Sequence, residues 1–130
     1  MIVIDASAAV DWLLQTPAGQ RLETRIYSRQ ETLHAPHLLD PEVVQVLRRL
    51  AREGAISERR AHEAISDLLS LRIARYPHTA FLHRIWQHRH NLSAYDAAYV
   101  ALAETLGAAL LTRDSRLAGA PGHTAQIELY

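Results

Sequence analysis

A chain of 130 residues with 48% hydrophobic content is long enough to close one core, so a single domain over residues 1–130 is expected. Zero net charge and the absence of cysteine exclude thiol chemistry and disulfide stapling, fit a cytosolic protein, and leave any nucleic-acid partner to be held by local patches. All 14 basic side chains are arginine, which removes Schiff-base catalysis and the lysine of a phosphate-binding loop.

Residues 1–4 are apolar and mostly β-branched and end at Asp5. They predict a central strand with an acid at its carboxyl end, and the acid interrupts the run at once, unlike the core of a signal peptide. Nowhere does an apolar run approach the roughly 18 residues of a membrane-spanning helix. Ser7 is placed to cap a helix over residues 8–14, Thr16-Pro17 breaks it, and residues 18–28 read as a second helix. Residues 32–35 predict a short strand closed by Pro36. Asp40-Pro41-Glu42 is a helix start, with Asp as cap, Pro at the first helical position and Glu in the first turn. Val43, Val46, Leu47 and Leu50 share a face of that helix, and Gly54 ends it. Ser57 opens another helix to about residue 71, and residues 71–74 predict a strand stopped by Tyr76-Pro77. Residues 79–87 read as a helix that frays in the His88-Arg89-His90 tract. Ser93 then caps a helix that Gly107 stops in a left-handed turn. Residues 108–112 form an apolar strand suited to a sheet covered on both faces, with Asp114 just past its end. A Gly/Pro loop at 119–122 leads to an edge strand at 125–129. Strands alternating with helices, without a tight hairpin signal, predict an α/β fold in which helices sandwich a mainly parallel sheet.

On such a sheet, Asp5, Glu42, Asp96 and Asp114 fall at strand ends or helix starts, and therefore at one edge. Gathered carboxylates repel one another unless a cation neutralises them. Without lysine, that cation is arginine or a divalent metal, and hard oxygen donors suit Mg²⁺ or Mn²⁺. A metal so held lowers the pKa of bound water and clamps a phosphodiester for in-line attack.

I-V-I-D-A-S-A at the start, D-P-E-V at Glu42, Y-D-A-A-Y-V-A-L-A at Asp96 and L-L-T-R-D at Asp114 closely resemble PIN-domain toxins of the VapC type, over nearly the whole chain. The resemblance implies a three-layer α/β/α sandwich and a Mg²⁺- or Mn²⁺-dependent endoribonuclease that cuts structured RNA, often transfer RNA. It implies that Asp5, Glu42, Asp96 and Asp114 are the metal-binding and catalytic acids, with Ser7 and Thr112 at the flanking hydroxyl positions. It further implies a homodimer in the cytoplasm, neutralised by a VapB-like antitoxin.

Blander readings stand beside these. Asp96 and Glu42 alone are explained by helix-dipole stabilisation, Ser7 by capping, and Thr112 by strand preference. His83, His88 and His90 lack the spacing that places two imidazoles on one helix face for zinc, so they read as surface residues, as do His34 and His37. Arg48, Arg49, Arg52, Arg59 and Arg60 surround one helix–turn–helix. With Glu53, Glu58 and Glu63 interspersed, solvation is favoured there over phosphate binding. The breadth of apolar residues over 43–50, with those over 65–69, predicts a face covered by a second copy or a partner helix. Receiver domains and haloacid-dehalogenase-like phosphatases also place Asp after the first strand, but need a basic phosphate anchor that this chain lacks. The remaining alternative is a catalytically silent PIN-like module that grips RNA or protein, and the presence of all four acids counts against it.

Overall fold

A computed structural model describes residues 1–130. Five parallel strands form its sheet in the order β3-β2-β1-β4-β5: β1 (Ile2–Ile4), β2 (Leu33–Pro36), β3 (Ile73–Tyr76), β4 (Ala109–Thr112) and β5 (Ile127–Leu129). The helices are α1 (Ala6–Leu13), α2 (Pro17–Ser28), α3 (Leu39–Arg52), α4 (Glu58–Ser70), α5 (Leu82–Gln87), α6 (Ala94–Leu106) and α7 (Ser115–Ala118). None is long and apolar enough to cross a membrane.

Ile2, Val3 and Ile4 are fully buried, as a strand with neighbours on both sides and helices on both faces requires. Chain order runs outward from β1 to β3, then returns to β4 and β5. Right-handed crossovers therefore place α1 to α4 on one face and α5 to α7 on the other, which gives three layers. The direction of winding reverses between β1 and β4, which pair Ile4 with Leu111. That is where an α/β sheet opens a crevice at its carboxyl edge. Helix α6 crosses β1, β2 and β4, and its residues Ala97 through Ala103 are all buried. Small side chains let it sit close over the sheet while carrying Asp96 on its first turn. Across the other face, α2 meets α1 at Gly19, where an added Cβ would lie 1.9 Å from the Asp11 carbonyl oxygen.

Several local expectations are corrected. Asp5, not Ser7, is the N-cap of α1, because strand and helix meet without an intervening loop. Asp40 caps nothing: α3 starts ahead of it, and its carboxylate takes both Nε and Nη2 of Arg75 at 2.7 and 2.8 Å. Strand β2 includes Pro36, whose place lies beyond the β1 pairing and so costs no ladder bond there. Strand β3 starts two residues late, and the helix expected over 79–87 is a 3₁₀ turn (His78–Phe81) followed by α5. His34 and His88 are buried rather than superficial. His34 lies in β2, 2.8 Å from the Tyr76 hydroxyl and 2.9 Å from that of Thr32. His88 lies 3.6 Å from Glu104.

Candidate active site

The Asp5 carboxylate is held from three directions. Its Oδ1 accepts from the Ala8 amide at 2.8 Å and the Ser7 hydroxyl at 2.7 Å, and its Oδ2 accepts from the Thr112 hydroxyl. The Thr112 oxygen in turn accepts the Asp114 amide at 2.9 Å, and Ser7 accepts the Arg113 amide at 2.9 Å. The ends of β1 and β4 are thereby laced together by two hydroxyls. Thr112 is fully buried, so its role here is to fix Asp5 and the following turn.

Asp5, Glu42, Asp96 and Asp114 line one cavity of about 420 Å³, together with Ser7, Asp11, Arg49, Tyr99 and Arg113. Each acid arrives on a different element: the end of β1, the first turn of α3, the first turn of α6, and the turn after β4. Ser93 takes the Asp96 amide at 3.1 Å as the N-cap of α6, and Asp96 lines the cavity from that first turn.

Three of the acids are held above the ordinary carboxylate range. Burial raises Asp5 against the lowering effect of its hydrogen bonds, and the charge of Asp96 adds to the rise. Burial, then the charges of Asp96 and Asp5, push Glu42 up to about 7. Burial also raises Asp96, and Asp114 reinforces it. Asp114 differs: burial works to raise it, but hydrogen bonds from Arg116 prevail and hold it low. Its Oδ1 accepts the Arg116 amide at 2.8 Å, and the guanidinium lies 3.3 Å from Oδ2. Glu42 Oε1 is buried with no hydrogen-bond partner, as is the Tyr99 hydroxyl.

This donor set is made of carboxylates and hydroxyls, the chemistry that Mg²⁺ or Mn²⁺ takes. An orphaned, buried Glu42 oxygen fits a cation that would satisfy it. No three acids stand close enough together to form a ready-made ligand set, as expected of like charges with nothing between them. The residues therefore fit the ion, which would draw them inward.

Tyr99 escaped sequence reading, and Arg49 and Asp11 were read as solvated or ion-paired residues rather than as residues of the cavity. Tyr99 stands one helical turn after Asp96, and Arg49 two turns after Glu42, so helical spacing alone could have found both. Asp11 ion-pairs with Arg113, a contact between α1 and the β4 turn for which the sequence carries no local signal.

A family model described as "PIN domain" matches residues 2–122. The chain is 45% identical over 129 residues to Ribonuclease VapC12 of Mycobacterium tuberculosis, covering 99% of this chain and 98% of that one. Among solved structures it resembles PAE2754 from Pyrobaculum aerophilum, with a TM-score of 0.71 and 25% identity, over 97% of this chain and 81% of the other. It also resembles VapBC2 from Rickettsia felis, solved bound to a DNA fragment from its promoter, with a TM-score of 0.69 and 12% identity, over 99% and 98%. The chain belongs to the PIN-domain family, and within it to the VapC-type ribonucleases.

Proposed function

We propose that the acid cavity of this VapC-type ribonuclease hydrolyses RNA phosphodiester bonds with Mg²⁺ or Mn²⁺ held by Asp5, Glu42, Asp96 and Asp114. The observation that carries the reading is the meeting of four acids from four elements in one cavity, where only Asp114 of the four has an arginine ion-pair partner. A bound divalent ion would supply charge neutralisation and a more acidic water there. The chain's own contribution is positioning. Ser7 and Thr112 lock Asp5 in one rotamer, and Arg116 keeps Asp114 ionised. Glu42 and Asp96 are carried on rigid first turns of α3 and α6, so the donors keep their places when RNA enters.

The same reading makes the chain the toxin of a toxin–antitoxin pair, acting in the cytoplasm on structured RNA such as transfer RNA, with a VapB-like antitoxin as its inhibitor. Its surface supports association, though not quite where the sequence pointed. Val43 and Leu47 are core, while Val44 and Leu69 stay exposed and Leu82, Trp86 and Tyr95 form a further exposed group on α5 and α6. A second copy and an antitoxin segment are the occupants proposed for these faces, and sedimentation with and without the partner tests them. The catalytic reading is tested by incubating the purified chain with total RNA and Mg²⁺ or Mn²⁺. Cleavage that chelation stops, and that Asp5→Asn lacks, is the expected result. Metal-independent cleavage, or full activity in Asp5→Asn, would overturn it.

A further inference from the structure

The arginine cluster of α3 and α4 divides into two groups once its partners are known. On α4, Arg59 lies 3.5 Å from Glu63, and Arg60 donates to the Leu13 carbonyl at 2.6 Å, tying α4 to α1. These two are structural or solvated. On α3, Arg48 and Arg52 form no ion pair, and Arg49 meets Glu53 only at 3.9 Å with both side chains more than half exposed, a contact of little energetic weight. Gln45, Arg48, Arg49 and Arg52 are spaced i, i+3, i+4, i+7, which puts them on one helix face. With Glu53 they line a hollow of about 410 Å³.

Arg49 also lines the acid cavity, so hollow and cavity adjoin along α3. The helix thus carries Glu42 into the cavity at its start and uncommitted guanidinium groups beyond it. The other arginine of the cavity, Arg113, is engaged with Asp11 and the Tyr130 carbonyl, and Arg116, outside the lining, pairs with Asp114. A chain of zero net charge offers a polyanion no general attraction, and the four acids repel it. Substrate must be gripped by a local cationic track beside the acids.

We propose that Arg48, Arg49 and Arg52 on the outer face of α3 form a phosphate-binding track that holds the backbone of the RNA strand leaving the acid cavity. The assignment rests on the nuclease reading for its substrate class, and on the aligned guanidinium groups, unpaired in Arg48 and Arg52 and only weakly paired in Arg49, for its place. Forked donors suit phosphate oxygens and carry no base preference, so the track sets affinity and register, not sequence choice.

Its test is binding, measured without metal so that no RNA is cut. A labelled oligouridylate is titrated by fluorescence anisotropy across about 50–200 mM salt, against the parent, Arg48→Ala/Arg52→Ala and Arg48→Lys/Arg52→Lys. Both positions are exposed, so the variants are expected to fold, and circular dichroism checks that they do. The alanine pair should weaken binding about tenfold or more at low salt and flatten the slope of log K against log salt by about 1.4, at roughly 0.7 per phosphate on a single strand. The lysine pair should keep the slope. An alanine pair with parental affinity and slope would overturn the track, as would parental binding to polyglutamate at the RNA affinity. Parallel cleavage of total RNA by the parent with Mn²⁺ separates the two ideas: without cleavage the catalytic reading fails, while the track stands or falls on the slope.

Discussion

Two half-buried carboxylates of the same type, Glu42 and Glu104, meet opposite fates in this molecule. Glu104, on α6, accepts Nε and Nη2 of Arg84 at 2.7 and 2.8 Å and the Thr124 amide at 2.9 Å. Arg84 pulls its pKa down to about 2 against the opposing effect of burial. Glu42, at the start of α3, has one oxygen with no partner and is pushed up to about 7 by burial and by two neighbouring acids. The fold can neutralise a half-buried acid with arginine where the acid serves to bind α5 and the C-terminal loop onto α6. At the sheet's switch point it leaves Asp5, Glu42 and Asp96 without an ion-pair partner, and only Asp96 feels the more distant charge of Arg116. The difference separates a cluster that arginine ties together from one that, on the proposed reading, a cation would neutralise.

The largest effect expected from breaking this contrast is chemical. Asp5→Asn keeps the cap on α1, since an amide oxygen can still accept from Ala8, but removes a charged donor from the cavity. RNA cleavage should fall by roughly 10³-fold or more, with far-ultraviolet circular dichroism unchanged. The matching change in the other cluster, Glu104→Ala, should leave cleavage per folded molecule intact. It should destabilise the fold by about 2 kcal/mol, because it strands the Arg84 fork and the Thr124 amide. Denaturant midpoints and activity assays on the same samples separate the two outcomes.

A smaller effect is the response to pH. The raised acids contribute stability that is complete below their ordinary pKa values and is lost as pH rises, for Glu42 through about 7. Glu104 runs the other way: its contribution is complete above about 4.5 and is lost only as pH falls toward about 2. The metal-free chain should therefore lose stability between about pH 4.5 and 7. Glu42→Gln should reduce that loss by roughly 1–2 kcal/mol, after discount for the solvent that screens a half-buried group. A metal-free parent that grows more stable over this range would contradict the charge pattern.

Asp5, Glu42, Asp96 and Asp114 were legible in the sequence because each sits at a strand end or a helix start, where local pattern alone fixes the sheet edge. Their hydroxyl neighbours were legible as candidates only. Whether Ser7 caps α1 or supports Asp5 depends on how tightly β1 runs into the helix, and here Asp5 takes the cap. Asp40 misled because its partner, Arg75, is 35 residues away, and a local helix-start pattern cannot register a distant cation. His88 misled for the same reason. Its Arg- and His-rich surroundings look solvated, but the packing of α5 on α6 buries it beside Glu104. Helix α7 was missed because four residues span barely one turn and show no period. Strands β2 and β3 were found with shifted ends, since short strands in a covered sheet are bounded by tertiary pairing more than by composition.

The central claim is that the acid cluster is an unneutralised cation site, and the melting of parent and Asp96→Asn with chelator and with Mn²⁺ tests it most directly. Asp96 is raised by burial and by Asp114, while its helix-start bond runs from its backbone amide to Ser93, which the asparagine keeps. In chelator the variant should melt at or above the parent. Mn²⁺ should then raise the parent's melting temperature by more than the variant's, because only the folded parent binds the ion well. A variant that melts well below the parent in chelator, with the same Mn²⁺ shift and undiminished RNA cleavage, would show Asp96 to be a structural residue and would contradict the account.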